Sequence, residues 1–544
     1  MTITKADYDV LVIKAMENEA LKSDVTELSA KVEWLMEQFR LAQHRRFGAS
    51  SEKTIDGGFE QMNIFNESEI ISDILVPEPE LIEIEKHFRK RKNMVNADKL
   101  PANLPIETVE HELPDDEQFC PDCEGHLHVM GKETLRRELK LIPAKAVIVE
   151  HVRKVYACRS CEKDECGVPI VKAPVSNPVI KGGFASPEAI AHIATQKYVM
   201  SVPLYRQEQD WNRCGIELSR QTMCNWLIIA TFMWLEPIYD ALIELLCLRD
   251  VLHADETSLQ VLHEVSERSP TAKPHFPKGN VLKDGKPAKS KSYMWLYRTS
   301  GDTSNPIVLY EYQPDRKAEH PKRFLKNFGG YLHADGYDGY HSLSDDVKVV
   351  GCFTHARRKF DEAIKGLPKK DQANSTAGIG KQFCDKLFAL ERDFADLSAE
   401  ERLQKRQELS KPVFDEFYRW VDSLDPPPKT GLYTAIVYAR NQREYLRRYL
   451  EDGRLEISNN RAERSIKPFV IGRKNWLFAN TSRGAKASAI MYSIIETAKE
   501  NGLIPYEYLT YIFTNAPNWD IHSNIDNLER LLPWFVPDSC NAKT

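Results

Sequence analysis

The chain reads as a multidomain α/β protein, and three observations predict it. Strand-like segments cluster between residues 250 and 353 with one helix among them. Helical periodicity precedes and follows that cluster. Two cysteine pairs sit upstream among short strand-like segments. With 544 residues, and roughly 150 residues per domain, about three to four domains are expected. Hydrophobic residues make up 42% and charged residues 28%, enough for a sizeable core. The net charge of −6 excludes a generic polyanion binder, so any nucleic-acid surface has to come from local basic clusters.

Residues 8–47 predict a helix. Leu21, Val25, Leu28, Val32, Leu35, Phe39 and Ala42 alternate spacings of four and three, the seam of a coiled coil, which favours self-association through this helix. It ends at Arg45-Arg46-Phe47-Gly48. Residues 48–104 lack periodicity. An acidic part precedes the run Arg89-Lys90-Arg91-Lys92, and the segment reads as a linker.

Residues 105–175 hold Cys120-Pro-Asp-Cys123 and Cys158-Arg-Ser-Cys161, separated by 34 residues. Each Cys-x-x-Cys turn presents two thiolates, and two turns close a tetrahedral shell around Zn²⁺. A closed shell has no open position, so the expected role is structural. Cys166, His126 and His128 are competing ligands. The eleven cysteines are an odd count and do not suggest a disulfide framework.

Residues 180–249 predict helices with a helix-turn-helix-like pattern. Gly215 marks the turn, Ser219 the N-cap, and Arg220, Gln221 and Asn225 the exposed face of a recognition helix. The apolar stretch from Trp226 to Leu248 carries Glu236, Asp240 and Glu244, with Pro237 as a bend. It predicts a buried helix pair rather than a membrane span. No secretory apolar block opens the chain, and a cytoplasmic location is expected.

Residues 250–365 carry the chemistry. Val251–Val261 predicts a strand with Asp255 inside it. Ser292–Thr299 and Ile307–Gln313 predict two more, Arg316–Phe328 a helix, and Tyr331–Tyr340 a strand ending on Asp335. Val347–Phe353 and Thr354–Lys365 predict a last strand and helix. This order matches a ribonuclease-H-like sheet, in which the first and fourth strands are neighbours, so Asp255 and Asp335 would face each other. A third carboxylate is offered by Glu463, about one turn into a helix capped by Ser458 or Asn459. Three such acids suit Mg²⁺ or Mn²⁺, which take oxygen ligands. A metal pair about 3.5–4 Å apart can grip a phosphodiester.

Residues 366–450 read as charged helices. From Arg440 to Lys486 there are twelve Lys/Arg against five Asp/Glu. Arg461, Arg464, Lys467, Arg473, Lys474 and Arg483 are candidate phosphate contacts, with Trp476 and Phe478 as stacking faces.

These blocks resemble the insertion sequence 66 family of bacterial transposases over nearly the whole chain. The resemblance rests on Arg46-Phe47-Gly48 with Ser51-Glu52-Lys53, the paired Cys-x-x-Cys ribbon and His253-Ala254-Asp255-Glu256-Thr257. It rests equally on Asp335-Gly336-Tyr337, Cys352-Phe353-Thr354-His355-Ala356-Arg357-Arg358-Lys359-Phe360 and Asn459-Asn460-Arg461-Ala462-Glu463-Arg464. It implies an Asp-Asp-Glu transposase with Asp255, Asp335 and Glu463 as first, second and third acids. It implies that 366–450 is a helical insertion, that 451–489 completes the core, and that a small helical domain follows at 490–535. Cys352-x-x-His355 looks like a Cys/His signature of several transposase groups and is expected to be structural or DNA-positioning, with Arg357 and Arg358 as DNA contacts. The expected partners are transposon-end and target DNA, a second copy of the chain, and small accessory proteins, with the protein nucleoid-associated when bound. Rival readings are a regulator with an inactive core, a nuclease that cannot rejoin strands, and a scaffold.

Overall fold

The computed structural model describes Lys14, Met16–Asn18, Lys22 and residues 147–157, 170–263, 292–301, 304–365 and 367–542. Lys14, Met16, Glu17, Asn18 and Lys22 are α-helical; the remainder of the 8–47 seam, the 48–104 linker and Cys120, Cys123, Cys158, Cys161 and Cys166 lie outside the described residues.

Residues 52–174 form a unit of their own. In it β1 (Val155–Ala157) pairs antiparallel with β2 (Ile170–Lys172), with Val155 opposite Lys172.

The other unit comprises residues 1–51 and 175–544; past residue 175 its first helix is α1 (Pro187–Tyr198), capped by Ser186, whose hydroxyl accepts the Ala189 N–H. Next come α2 (Leu204–Arg213) and α3 (Arg220–Ala230). Gly215, at φ +76°, makes the left-handed turn between them, and Ser219 caps α3 by accepting the Thr222 N–H at 3.1 Å. Helix α3 continues through a π-helical turn, Thr231–Leu235, into α4 (Glu236–Cys247). The expected helix pair is thus one continuous run. The π turn comes just ahead of Pro237, which lacks the N–H that an unbroken α-ladder needs. By length and composition Arg220–Cys247 could cross a membrane. Here Leu227, Ala230, Leu235, Ile238, Leu242 and Leu246 are buried in the protein core.

The central sheet has five strands: β3 (Val251–Leu259), β5 (Ser292–Thr299), β6 (Val308–Gln313), β7 (Gly330–His333) and β8 (Val347–Val350). Strand β4 (Val261–His263) lies outside it. The spatial order is β6-β5-β3-β7-β8. The first three strands in sequence form an antiparallel meander, and β7 and β8 add in parallel to β3. Helix α5 is shorter than expected, Glu319–Phe324 rather than 316–328, because Arg316 leaves the helical path to reach carboxylates described below. After the short α6 (Asp338–His341), strand β8 ends at Val350 and α7 (Phe353–Ile364) begins at once.

From Lys369 to Leu450 the regular elements are helical: α8 (Lys369–Gln372), α9 (Thr376–Asp393), α10 (Ala399–Lys405), α11 (Lys411–Ser423), α12 (Gly431–Asn441) and α13 (Arg443–Arg447). Their apolar faces join α7 in a second core built on Phe360, Phe414, Phe417 and Tyr449. The chain returns through α14 (Asn460–Trp476) and β9 (Ala479–Thr481), which pairs with β4. Helix α15 (Ser482–Glu500) then crosses the sheet. It covers the β6 edge, where Thr497 Oγ1 accepts the Val308 N–H at 3.0 Å and Ser493 Oγ the Tyr310 N–H at 2.7 Å. An otherwise open strand edge is closed by two hydroxyls. Helices α16 (Pro505–Asn515) and α17 (Ile525–Glu529) close the chain.

Candidate active site

The parallel pairing of β3 with β7 puts His253 opposite His333. Asp255 and Asp335 each lie two residues further on, so Asp255 in the middle of β3 and Asp335 just past the end of β7 stand at matching positions of adjacent strands. Asp255 Oδ1 accepts the Glu256 N–H at 2.8 Å, and Asp335 Oδ1 accepts the Tyr337 N–H at 3.0 Å. Burial pushes the Asp255 carboxyl well above the usual carboxylate range, and repulsion from Glu256, Asp335 and Glu463 pushes it further. The field of all three neighbours therefore converges on Asp255.

Glu463 stands in the first turn of α14. Its placement starts with Arg406, whose side chain is 1% exposed. Arg406 forks onto Glu391 at 2.9 and 2.6 Å and donates to the carbonyls of Tyr449, Asp452 and Leu455 at 2.9, 2.9 and 2.7 Å. This pins the strap that precedes α14. The strap is then sewn to the strand ends. Phe353 N–H donates to Ile457 O at 3.0 Å, Glu456 N–H to His333 Nε2 at 3.2 Å, and Asn459 N–H to Cys352 Sγ at 3.2 Å.

Asn459, expected as a helix cap, makes no side-chain cap bond. Its amide turns inward instead. Nδ2 donates to Ala254 O at 2.7 Å and Oδ1 faces His253 Nδ1 at 3.0 Å. The amide orientation thus makes His253 the donor at Nδ1. His253 and His333 stack with ring centroids 4.3 Å apart. Burial lowers the His253 imidazole to about 3 and pushes His333 well below its ordinary value, so both rings are neutral spacers.

Four residues not singled out from the sequence complete the setting. Glu256 is buried beside Asp255 and accepts from Tyr340 Oη at 2.7 Å and Arg316 Nε at 2.8 Å. Arg316 reaches to 3.9 Å from Asp335 Oδ2 and stacks 4.0 Å from the Tyr337 ring centroid, while Tyr337 Oη bonds the Arg316 carbonyl. Glu256 follows Asp255 directly, and that adjacency is a signal. Arg316 carries none, because its role depends on the loop between β6 and α5.

Cys352 and His355 also meet here. Their donor atoms and that of Glu463 lie within 4.8 Å of one another. His355 Nε2 is 3.8 Å from Glu463 Oε1, and Arg358 lies 3.9 Å from Glu463 Oε2. Burial opposes charge on both Cys352 and His355, yet their mutual pairing outweighs it. The thiol is lowered and the imidazole raised to about 9.

The candidate DNA contacts are dispersed. Arg220, Gln221 and Asn225 are exposed on α3, with Arg220 stacked over Tyr205 at 5.5 Å and 3.9 Å from Glu208. Arg464, Lys474 and Arg483 are exposed and Lys467 half-buried. Arg357 is held by Asp385 and Arg461 by Glu456 at 2.7 Å. Arg473 turns toward Thr257 and Ser258 at 3.4 Å, and burial lowers its guanidinium. Trp476 lies in an aromatic cluster, 6.2 Å from Tyr492 and 6.5 Å from Tyr198, and its ring covers Gly472. Packing therefore takes part of its ring, and Trp476 as a whole is half-buried. Phe478 is 42% exposed and remains available.

Among the described residues Asp255, Asp335 and Glu463 do not form a group with ligand atoms all within 4.8 Å of one another, and Glu463 falls instead with Cys352 and His355. Glu463 Oε1 is buried with no hydrogen-bond partner, and carboxylates in mutual repulsion are what an oxygen-seeking cation relieves.

Comparison with known proteins gives a consistent picture. A family model described as "Transposase IS66 family" matches residues 182–276 and 278–487. One for the zinc-finger binding domain of transposase IS66 matches 117–162, and one for the IS66 C-terminal element matches 493–534. A model described as "Transposase C of IS166 homeodomain" matches 34–109. Among similar chains, the uncharacterized protein y4jD of Sinorhizobium fredii is 29% identical over 96% of this chain and 98% of its own length. The uncharacterized protein y4qI of the same organism is 32% identical over 80% of this chain and 76% of its own.

Proposed function

The chain belongs to the transposase IS66 family, and from that premise we propose that it cleaves DNA at transposon ends and joins the freed 3′ ends to target DNA. The carrying observation is the parallel register of β3 and β7, which sets Asp255 and Asp335 at matching positions of neighbouring strands, with Glu463 in the first turn of α14. The strand order β6-β5-β3-β7-β8 supports a ribonuclease-H-like core. In our reading residues 250–365 and 451–489 form that core, and 366–450 are inserted into it. The ribbon at 105–175 holds structural Zn²⁺ through Cys120, Cys123, Cys158 and Cys161, the helix at 8–47 joins copies of the chain, and 490–535 form a small helical domain.

Asp255, Asp335 and Glu463 would hold Mg²⁺ or Mn²⁺, which when bound activates the attacking oxygen and steadies the leaving one. The chain's own residues do the rest. Arg316 and the Tyr340 hydroxyl hold Glu256 by hydrogen bonds and offset part of its charge beside Asp255. Asn459 and the stacked histidines fix the strap against β3 and β7, and so fix Glu463. Arg358, Arg464, Lys467 and Lys474 supply positive charge for DNA phosphates, and Phe478 an exposed ring for bases. Both chemical steps are in-line displacements at phosphorus. In such steps positioning and charge stabilisation dominate, and no protein nucleophile is needed.

The test is strand cleavage of a duplex carrying the element's ends, in Mg²⁺, by the native chain and by Asp255→Asn. Loss of several kcal/mol of transition-state stabilisation corresponds to on the order of 10³-fold or more in rate. The variant is expected to fold, bind the ends and fail to nick them. Undiminished nicking by Asp255→Asn overturns the reading.

A further inference from the structure

We propose that Cys352, His355 and Glu463 form a second cation site, one for a thiophilic divalent ion such as Zn²⁺, which shares Glu463 with the carboxylate set. The three donors come from two helix starts. Cys352 precedes the first residue of α7, His355 follows at i+3 on the same face, and Glu463 projects from the first turn of α14. A sulfur, a nitrogen and an oxygen within 4.8 Å of one another are close to what one tetrahedral ion requires. Bonds of about 2.0–2.3 Å bring its ligand atoms to within roughly 4 Å of each other.

Two further observations point to a ligand. Glu463 Oε1, which faces His355 Nε2 at 3.8 Å, is buried without a hydrogen-bond partner, a costly state for a carboxylate oxygen. The sulfur, 1% exposed, receives the Asn459 N–H at 3.2 Å, the kind of second-layer bond that steadies a metal thiolate. Three protein ligands also leave a fourth position open.

The two cation classes separate by chemistry. Mg²⁺ prefers oxygen alone, whereas a thiolate and an imidazole select Zn²⁺. When the soft ion engages Glu463 Oε1, the carboxylate set loses its third acid. Zn²⁺ at this site therefore holds the enzyme inactive while Mg²⁺ is present. That consequence rests on the transposase reading; the binding itself does not.

The experiment uses the full chain and compares native protein with Cys352→Ser and His355→Gln. Co²⁺ and Zn²⁺ binding are measured by optical titration and metal analysis, and melting curves report whether each variant folds. The native chain is expected to bind one more equivalent than either variant and, beyond the Co²⁺–thiolate absorption of the cysteine ribbon common to all three proteins, to show additional thiolate absorption that Cys352→Ser lacks. Equal stoichiometry and equal spectra in all three proteins overturn the proposal. In Mg²⁺, micromolar Zn²⁺ is expected to stop nicking by the native chain. Extra metal bound without nicking under any condition sinks the transposase reading and leaves the site standing. Nicking in Mg²⁺ with no extra equivalent sinks the site alone.

Discussion

Asn459 links three elements through one side chain and one N–H, and the account gives it a positioning role. Its amide holds the Ala254 carbonyl and His253, and its N–H holds Cys352, while its own carbonyl receives the Glu463 N–H at 3.2 Å. Asn459→Ala removes the amide bonds and leaves a buried carbonyl and imidazole unpaired, at about 1–3 kcal/mol for each group. A purely structural role would lower stability and leave the metal dependence alone. We expect instead that the Mg²⁺ concentration for half-maximal cleavage rises several-fold in the folded variant, with partial rescue by Mn²⁺. An unchanged Mg²⁺ profile would assign Asn459 to packing.

Among the elements, the strap from Glu451 to Asn459 decides where α14 begins, and Arg406 decides where the strap runs. Arg406 sits in a π-helical turn, Arg406–Ser410, between α10 and α11. Its guanidinium is fully engaged by one carboxylate and three carbonyls. The helices from 369 to 450 therefore supply more than bulk, since they carry the clamp that fixes the third acid. Arg406→Met leaves Glu391, 12% exposed, without its partner. Breaking a buried pair from one side costs about 3–5 kcal/mol. The urea midpoint should fall accordingly, and cleavage should fall even at denaturant-free conditions where the variant remains folded. A variant of native stability would mean that the clamp is redundant. Close by, a Cβ at Gly453 would meet the Ala399 carbonyl at 1.7 Å, so strap and α10 touch backbone to backbone.

Across the whole molecule, what could be read from the sequence was the part that is local or periodic. Strand-forming side chains along Val251–Leu259 and Ser292–Thr299 locate the strands, and the acids at 255 and 335 sit at legible positions in and just past them. Ser219 could be identified as a cap because capping is a short-range bond. Features made by long-range contact could not be identified. Arg316 reads as a helix residue until Glu256 and Asp335 draw it out of α5. Asn459 reads as a cap until His253 turns it inward, and Trp476 reads as a stacking face until packing against Tyr492 and Gly472 takes part of its ring. Pro237 signalled a break, but the π turn that absorbs it kept one helix where two were expected. Glu463 lies more than a hundred residues beyond Asp335, and only a fold that returns to the sheet gives it meaning.

The central claim is that Asp255, Asp335 and Glu463 act as one cation-holding set. Its most direct test is Mn²⁺ binding followed by electron paramagnetic resonance, on the native chain and on Asp255→Asn, Asp335→Asn and Glu463→Gln, each checked for folding. Tight Mn²⁺ binding by the native chain is expected, displaced by excess Mg²⁺ and weakened at least about tenfold, or 1.4 kcal/mol, by each substitution. Native-like Mn²⁺ affinity in folded Glu463→Gln would contradict it, because the third acid would then stand apart from the other two.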